Sequence, residues 1–161
     1  MCSENACRQV IIDLMNNDDL PEIMAIEKES FVSPWTPGMF IGEIEARQSQ
    51  CLTAKINLSK KVIIGGYIVF WIVVDEAHLH NLAVKKEYRQ QGLARHLLEV
   101  MWEISRQEGL KSQTLEVRES NAEAIRLYQK CGFVVKGRRP LYYTDTREDA
   151  IIMWADVKSR V

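Results

Sequence analysis

Apolar positions along the chain follow either the three-to-four-residue spacing of helices or the short runs typical of strands. The clearest helical stretch is 92–108, where apolar side chains recur every three to four residues and Gly109 is able to end the helix in a left-handed conformation. The longest apolar run, 62–74, falls well short of the ~20 residues that cross a bilayer. That run predicts a buried strand.

The remaining elements are predicted from the same pattern and from the residues that begin or end them. Thr36 before Pro37 is typical of a helix start, and Ser120 with Glu123 has the spacing of a capping box. Strands are predicted at 10–15, 51–56, 62–74, 77–84, 114–117, 133–139 and 150–156, helices at 20–30, 37–47, 92–108 and 120–130, and a loop at 140–149. This order predicts an α+β fold with a mixed, mainly antiparallel seven-stranded sheet flanked by about four helices.

Length, charge and cysteine spacing limit the classes of protein to which the chain can belong. A chain of 161 residues without repeats or linkers is expected to form a single domain over 1–161. The formal net charge of -1 disfavours nonspecific binding to nucleic acid or to a membrane surface. The N-terminus lacks the basic flank and apolar core of a secretory signal, which predicts a cytoplasmic protein. Cys2, Cys7, Cys51 and Cys131 lack the spacing of zinc ligands, and neither a metal nor a disulfide framework is expected.

A short segment before the clearest helix has the composition of an anion-binding turn. It consists of Arg89, Gln90, Gln91, Gly92, Leu93, Ala94 and Arg95. The small side chains of Gly92 and Ala94 let a ligand approach the backbone, and the N–H groups of the first helical turn favour a pyrophosphate. Arg89 and Arg95 can add charge-assisted hydrogen bonds. An ordinary tight turn explains the segment equally well, and the P-loop and dinucleotide patterns are absent from it.

The same segment carries a family resemblance. Residues 89–94 match the Arg/Gln-x-x-Gly-x-Gly/Ala motif of the GNAT superfamily of acetyltransferases, and 79–84 resembles the strand before that motif. Five further stretches are similar to the RimI branch, which acetylates the N-terminal amine of a ribosomal protein: 33–35, 115–121, 124–128, 142–143 and 148–153. Two departures are Ala94 in place of the commoner glycine and Leu141 before the paired tyrosines. The resemblance covers nearly the whole chain and implies the GNAT fold, with acetyl-coenzyme A as cosubstrate.

The resemblance implies a role for several residues. Glu116 is the general base for the attacking amine, and Tyr128 is the general acid for the departing thiolate. Coenzyme contacts are implied for Leu82, Ala83, Val84, Arg89, Gln90, Gln91, Gly92, Leu93, Ala94, Arg95 and Asn121, and acceptor contacts for Trp35, Tyr142 and Tyr143. Leu115 and Val117 flank Glu116 and are expected to face the opposite side of the sheet. On the residues alone, Glu116 is an ordinary strand residue, Tyr128 a core aromatic, and Asn121 as readily a helix cap.

The acceptor implied by the resemblance is the N-terminal alanine of a small-subunit ribosomal protein. At pH 7 an α-amine of pKa about 7.7–8.0 needs roughly 1–1.4 kcal/mol to become neutral, whereas a lysine of pKa about 10.4 needs about 4.6 kcal/mol. A carboxylate base is therefore better matched to an α-amine. Because ribosomal N-terminal segments are commonly basic, Glu43, Glu45, Asp145 and Glu148 are candidate rim contacts, with a solvated surface as the plainer explanation.

Three interpretations of the chemistry stay open at this point: a protein N-terminal acetyltransferase, an acetyltransferase for a small-molecule amine, and a non-catalytic coenzyme-binding module. The presence of both Glu116 and Tyr128 disfavours the module. His78 and His80 share one face of a strand, but structural histidines are favoured over a metal pair. Cys131 is disfavoured as an acyl carrier because direct attack needs no such intermediate. A monomer is expected.

Overall fold

Seven strands form one mixed sheet in the computed structural model, which describes residues 9–159. The strands are β1 Gln9–Leu14, β2 Ser49–Leu58, β3 Lys61–Val73, β4 Glu76–Val84, β5 Ser112–Arg118, β6 Val134–Tyr143 and β7 Glu148–Asp156, and the α-helices are α1 Leu20–Ser30, α2 Pro37–Glu45, α3 Leu93–Gln107 and α4 Ala122–Lys130. The spatial order is β1-β2-β3-β4-β5-β7-β6, and every neighbouring pair is antiparallel except β4 and β5. The predicted α+β class, with a mainly antiparallel seven-stranded sheet and about four helices, is confirmed.

The parallel pair β4–β5 opens into a gap. Residues 76–79 of β4 pair with residues 112–115 of β5, and the pairing stops there. Beyond that point β4 continues to Val84 along β3, while β5 continues to Arg118 along β7. The two strand ends therefore separate and leave a cleft in the middle of the sheet.

A β-bulge lies on β4 beside the gap. Leu79 pairs with Phe70, and Asn81 pairs with Val69, so His80 is the extra residue between two consecutive partners on β3. A bulge bends its strand and redirects the side chains around it. The backbone of β4 is consequently irregular where it borders the cleft.

Helices cover both faces of the sheet. On one face α3 buries Leu97, Leu98 and Met101 completely, which confirms the apolar stripe predicted for this helix. On the other face α1 and α2 contribute Ile23 and Phe40 to a second buried cluster. Burying each large apolar side chain contributes about 1.5–3 kcal/mol, so the two layers hold the divided sheet together.

The start of α4 differs from the prediction. The N-cap is Asn121, whose side-chain oxygen accepts from the Ala124 N–H at 3.1 Å. The predicted capping box of Ser120 with Glu123 is therefore wrong, because the box needs its serine at the N-cap position. Instead the Ser120 N–H donates to the carboxylate of Glu148 at 3.2 Å, which joins the start of α4 to β7.

The predicted loop at 140–149 is also wrong in extent. β6 runs to Tyr143, which pairs with Glu148, so only the four residues between them form a turn. Leu141 has a φ of 52° and lies where the register of β6 against β7 shifts. The strand thus continues through Pro140 and Leu141 to the paired tyrosines. α2 ends at Glu45, two residues before its predicted end.

Two further expectations concern membranes and thiols. None of the helices described between residues 9 and 159 is long and apolar enough to cross a membrane. Cys51 and Cys131 are buried and take part in no disulfide. Cys2 and Cys7 lie outside the described residues.

Candidate active site

A pocket of about 350 Å³ lies between the end of β4, the turn before α3 and α4. Its wall includes, from the predicted coenzyme contacts, Leu82, Ala83, Val84, Arg89, Gln90, Gly92, Leu93, Ala94, Arg95 and Asn121, together with the predicted acid Tyr128. Gln91, also a predicted coenzyme contact, is outside the lining, and its side chain donates to the Glu87 carbonyl at 2.9 Å. The structure thus brings residues from β4, the α3 turn and α4 to one concave surface.

The turn before α3 presents backbone N–H groups to this pocket. Gln90 and Gly92 both have positive φ, at 57° and 84°, which curls the chain into α3. The first helical hydrogen bond runs from the His96 N–H to the Gly92 carbonyl at 2.9 Å. N–H groups in the first turn of a helix have no intrahelical acceptor and favour an anion. The turn is suited to hold a phosphate group.

The two arginines of the turn have different surroundings. Arg89 donates from Nε to the Val84 carbonyl and from Nη2 to Ser30 Oγ, both at 2.9 Å. Arg95 pairs with Glu99 one helical turn away, with Nε 2.9 Å from Oε1, and both side chains are largely exposed. Arg89 therefore braces the end of β4 against α1, whereas Arg95 stands at the rim of the pocket.

Glu116 lies one residue beyond the last β4–β5 pair and outside the lining of this pocket. As predicted, Leu115 and Val117 are buried on the other side. Arg139 Nε is 2.8 Å from Glu116 Oε1. Tyr142 also hydrogen-bonds this carboxylate, which raises the pKa of Tyr142. Glu116 is thus a partly exposed carboxylate with two donors from β6.

Tyr128 is buried on α4, packs its ring 5.9 Å from that of Phe133 and still reaches the pocket lining. Burial raises the pKa of Tyr128 above its ordinary value. The phenol is therefore protonated at neutral pH and is available as a proton donor.

The three predicted acceptor residues fall into two groups. Tyr142 and Tyr143 contact each other edge to face at 5.2 Å on the side of Glu116. The pKa of Tyr143 is raised to about 12, chiefly by burial of the side chain. Trp35 instead packs on Phe40 at 5.3 Å in the layer of α1 and α2. The two tyrosines therefore lie beside Glu116, and the Trp35 ring is partly buried in the core.

A buried carboxylate that the sequence pattern did not single out links the Trp35 backbone to β3 and β4. Glu27 on α1 is 1% exposed and accepts from the Trp35 N–H at 2.8 Å, from Asn81 Nδ2 at 3.2 Å and from the Tyr67 hydroxyl. The sequence offers one sign of this burial: Glu27 has the helical spacing that places it on the apolar face of α1 with Ile23 and Ile26. The network fixes the loop after α1 against the bulge of β4.

The two histidines of β4 both contact other side chains. His78 lies 2.9 Å from Glu76, and His80 stacks on Trp71 at 4.4 Å. Trp71 in turn donates to Glu43 at 2.6 Å. Burial lowers the pKa of His80. Between residues 9 and 159, no group of three or more His, Cys, Asp or Glu is arranged to hold a metal ion.

The sequence model of the acetyltransferase (GNAT) family matches residues 20–133. The chain belongs to this family. The ribosomal protein bS18-alanine N-acetyltransferase of Escherichia coli (strain K12) is 37% identical over 144 residues, which are 88% of this chain and 94% of that protein. A Bacillus subtilis (strain 168) protein is 38% identical over 89% of this chain and 93% of its own length.

Solved structures agree with this assignment. The crystal structure of the ribosomal-protein-S18-alanine N-acetyltransferase from Escherichia coli superposes with a TM-score of 0.81 at 34% identity, covering 92% of this chain and 94% of that one. The divided sheet is therefore the GNAT fold. Acetyl-coenzyme A is the acetyl donor of this GNAT enzyme.

Proposed function

We propose that the protein transfers the acetyl group of acetyl-coenzyme A to the N-terminal α-amine of a small-subunit ribosomal protein that begins with alanine. The observation that carries this proposal is one pocket that brings together the end of β4, the turn before α3 and Tyr128, with Glu116 one residue beyond the point where β4 and β5 separate. The named activity of the Escherichia coli relative supports the choice of acceptor.

The proposed chemistry is a direct attack with one base and one acid. Glu116 takes a proton from the amine, the neutral nitrogen forms a bond to the thioester carbon, and the carbonyl oxygen becomes an oxyanion. A backbone N–H of residues 82–84 on β4 is placed to stabilise that oxyanion. As the tetrahedral intermediate collapses, the carbon–sulfur bond breaks and Tyr128 gives its phenolic proton to the thiolate. The nitrogen, which still carries one proton more than the amide product, loses that proton to water, and Glu116 and Tyr128 regain their starting protonation states by exchange with water. The products are the acetylated amine and free coenzyme A.

The same proposal assigns the coenzyme to the pocket and the acceptor to the side of Glu116. The pyrophosphate binds the N–H groups at the start of α3, with Arg95 at the rim. The strand end 82–84 runs along the pantetheine, and Asn121 combines a cap of α4 with a position in the pocket wall. The acceptor enters beside Tyr142 and Tyr143, and Trp35 supports the loop that faces them.

Three properties accompany the proposal and stay predictions. The protein acts as a monomer, it works in the cytoplasm, and it binds its acceptor without a nucleic acid or a membrane. Its single domain spans 1–161, of which the sheet and helices described above occupy 9–159.

The acceptor class is tested by release of free thiol from acetyl-coenzyme A. A hexapeptide that begins with Ala-Arg is compared with the same peptide carrying a blocked N-terminus and one lysine. We expect turnover of the free-amine peptide alone, because its α-amine loses its proton about 3 kcal/mol more readily than lysine at 1.36 kcal/mol per pKa unit. If small amines turn over faster than both peptides, the acceptor is a small-molecule amine. If acetyl-coenzyme A binds without any turnover, the protein is a non-catalytic module.

Replacing Gly92 with alanine tests the phosphate turn. Gly92 has a φ of 84°, a conformation that costs a residue with Cβ roughly 1–2 kcal/mol, so the turn will relax and its N–H groups will shift. We expect the KM for acetyl-coenzyme A to rise about tenfold, the equivalent of ~1.4 kcal/mol. Gly109→Ala is the matched control: its φ is 69°, neither glycine has an atom within 4 Å of an added Cβ, and Gly109 is remote from the pocket lining. A rise of KM in both variants would contradict the assignment.

A further inference from the structure

Asp145 in the β6–β7 turn joins two segments that are distant in sequence. Its Oδ2 accepts from Ser33 Oγ at 2.6 Å, and Ser33 belongs to the connection between α1 and α2. Arg118 at the end of β5 donates to both carboxylate oxygens, at 2.9 Å to Oδ1 and 2.7 Å to Oδ2. One carboxylate therefore links the α1–α2 connection, the hairpin and β5.

Arg118 carries this link towards the reacting groups. It shares the face of β5 with Glu116, two residues earlier, and its guanidinium lies 4.1 Å from the centre of the Tyr143 ring. Tyr143 contacts Tyr142, which hydrogen-bonds Glu116. A continuous series of contacts thus runs from the α1–α2 connection to the carboxylate beside the cleft.

The link lies at the protein surface, and two hydrogen bonds from Arg118 hold Asp145 at its centre. Ser33 and Asp145 are both exposed, and exposed hydrogen bonds and ion pairs contribute little to the stability of a fold. The hydrogen bond from Arg118 holds the pKa of Asp145 well below its usual range, so Asp145 is ionised wherever the protein is folded and assayed. Thr146 adds a second anchor, since Arg118 donates to its hydroxyl at 2.6 Å.

We propose that Ser33, Asp145 and Arg118 form a tether that joins the α1–α2 connection to the β6–β7 turn and holds Tyr143 and Tyr142 in place for the incoming amine-bearing chain. Asp145 and Ser33 are positioning residues: they act through Arg118 and the tyrosines on the affinity for the acceptor. This proposal rests on the proposed function for the nature of the acceptor, an amine that enters on the Glu116 face.

The test compares Ser33→Ala, Asp145→Ala and the double variant, with kcat and both KM values measured on the acceptor that the wild-type protein uses. We expect Ser33→Ala to raise the acceptor KM roughly fivefold and Asp145→Ala about tenfold or more, with kcat and the KM for acetyl-coenzyme A within twofold of wild type. Because Ser33 acts through Asp145, the double variant is expected to match Asp145→Ala alone. Ser33→Thr retains the hydroxyl and is expected to restore the wild-type KM.

Two outcomes would overturn the tether: an unchanged acceptor KM in Ser33→Ala, or effects of the two changes that multiply in the double variant. Ser59→Ala removes an exposed serine from the β2–β3 turn and serves as the control, with all constants unchanged. Thermal unfolding of each variant separates loss of fold from loss of positioning. A wild-type protein that leaves peptide amines untouched contradicts the proposed function, whereas an active wild type with an unaffected Ser33→Ala contradicts the tether alone.

Discussion

Glu116→Gln is expected to lower kcat by about 10²–10⁴-fold, the range that a positioned general base supplies. Glutamine keeps the length of the side chain, and its carbonyl oxygen can still accept from Arg139 and Tyr142, but it cannot take a proton from the amine. The loss is expected to shrink as the pH rises through about 8, because an α-amine of pKa about 7.7–8.0 then loses its proton without help. Thiol release measured across this pH range tests the prediction.

Glu119→Gln is the matched control for this change. Glu119 also pairs with an arginine of β6, Arg138, at 2.6 Å, and it is half-exposed. Loss of that pair is expected to leave kcat unchanged. If Glu116→Gln retains the kcat of the wild type at neutral pH, Glu116 is an ordinary strand residue and the base must be sought elsewhere.

Tyr128→Phe is expected to lower kcat by roughly 10²–10³-fold while the fold stays intact. Phenylalanine fills the same space against Phe133 but leaves the thiolate without a proton donor. Because burial raises the pKa of Tyr128, the wild-type hydroxyl keeps its proton through neutral and mildly alkaline pH. Single-turnover rates with saturating acetyl-coenzyme A measure the effect. If Tyr128 is only a core aromatic without a chemical role, the kcat of Tyr128→Phe will stay within twofold of wild type.

Local signals were sufficient to predict the helices and most strands. The stripe over α3 and the left-handed Gly109 that follows it are properties of neighbouring residues, so spacing and residue type identify them. The cap of α4 was misplaced because Ser120 and Asn121 are both good N-cap residues, and the contact of Ser120 with Glu148 decides between them. That contact joins residues 28 positions apart, which no local pattern contains.

The candidate site likewise has one part that a local sequence motif predicts and another part that depends on contacts between distant residues. The phosphate turn lies within seven consecutive residues, and a short motif therefore predicts it. Glu116 meets Arg139 and Tyr142 only because β7 and then β6 follow β5 in the sheet. The separation of β4 from β5, the Glu27 network and the bond of Ser33 to Asp145 depend on long-range packing. Sequence alone gives no sign of the first and third of these features, and for the Glu27 network it gives only the position of Glu27 on the apolar face of α1.

The position of the acetyl group on the product tests the central claim most directly. The proposed acceptor, a small-subunit ribosomal protein with a free N-terminal alanine, is incubated with the protein and acetyl-coenzyme A, and the product is sequenced by tandem mass spectrometry. One acetyl group on the N-terminal alanine, with every lysine unmodified, is the predicted result. Acetyl groups on lysine side chains with a free N-terminus, or an unmodified acceptor, would contradict the account.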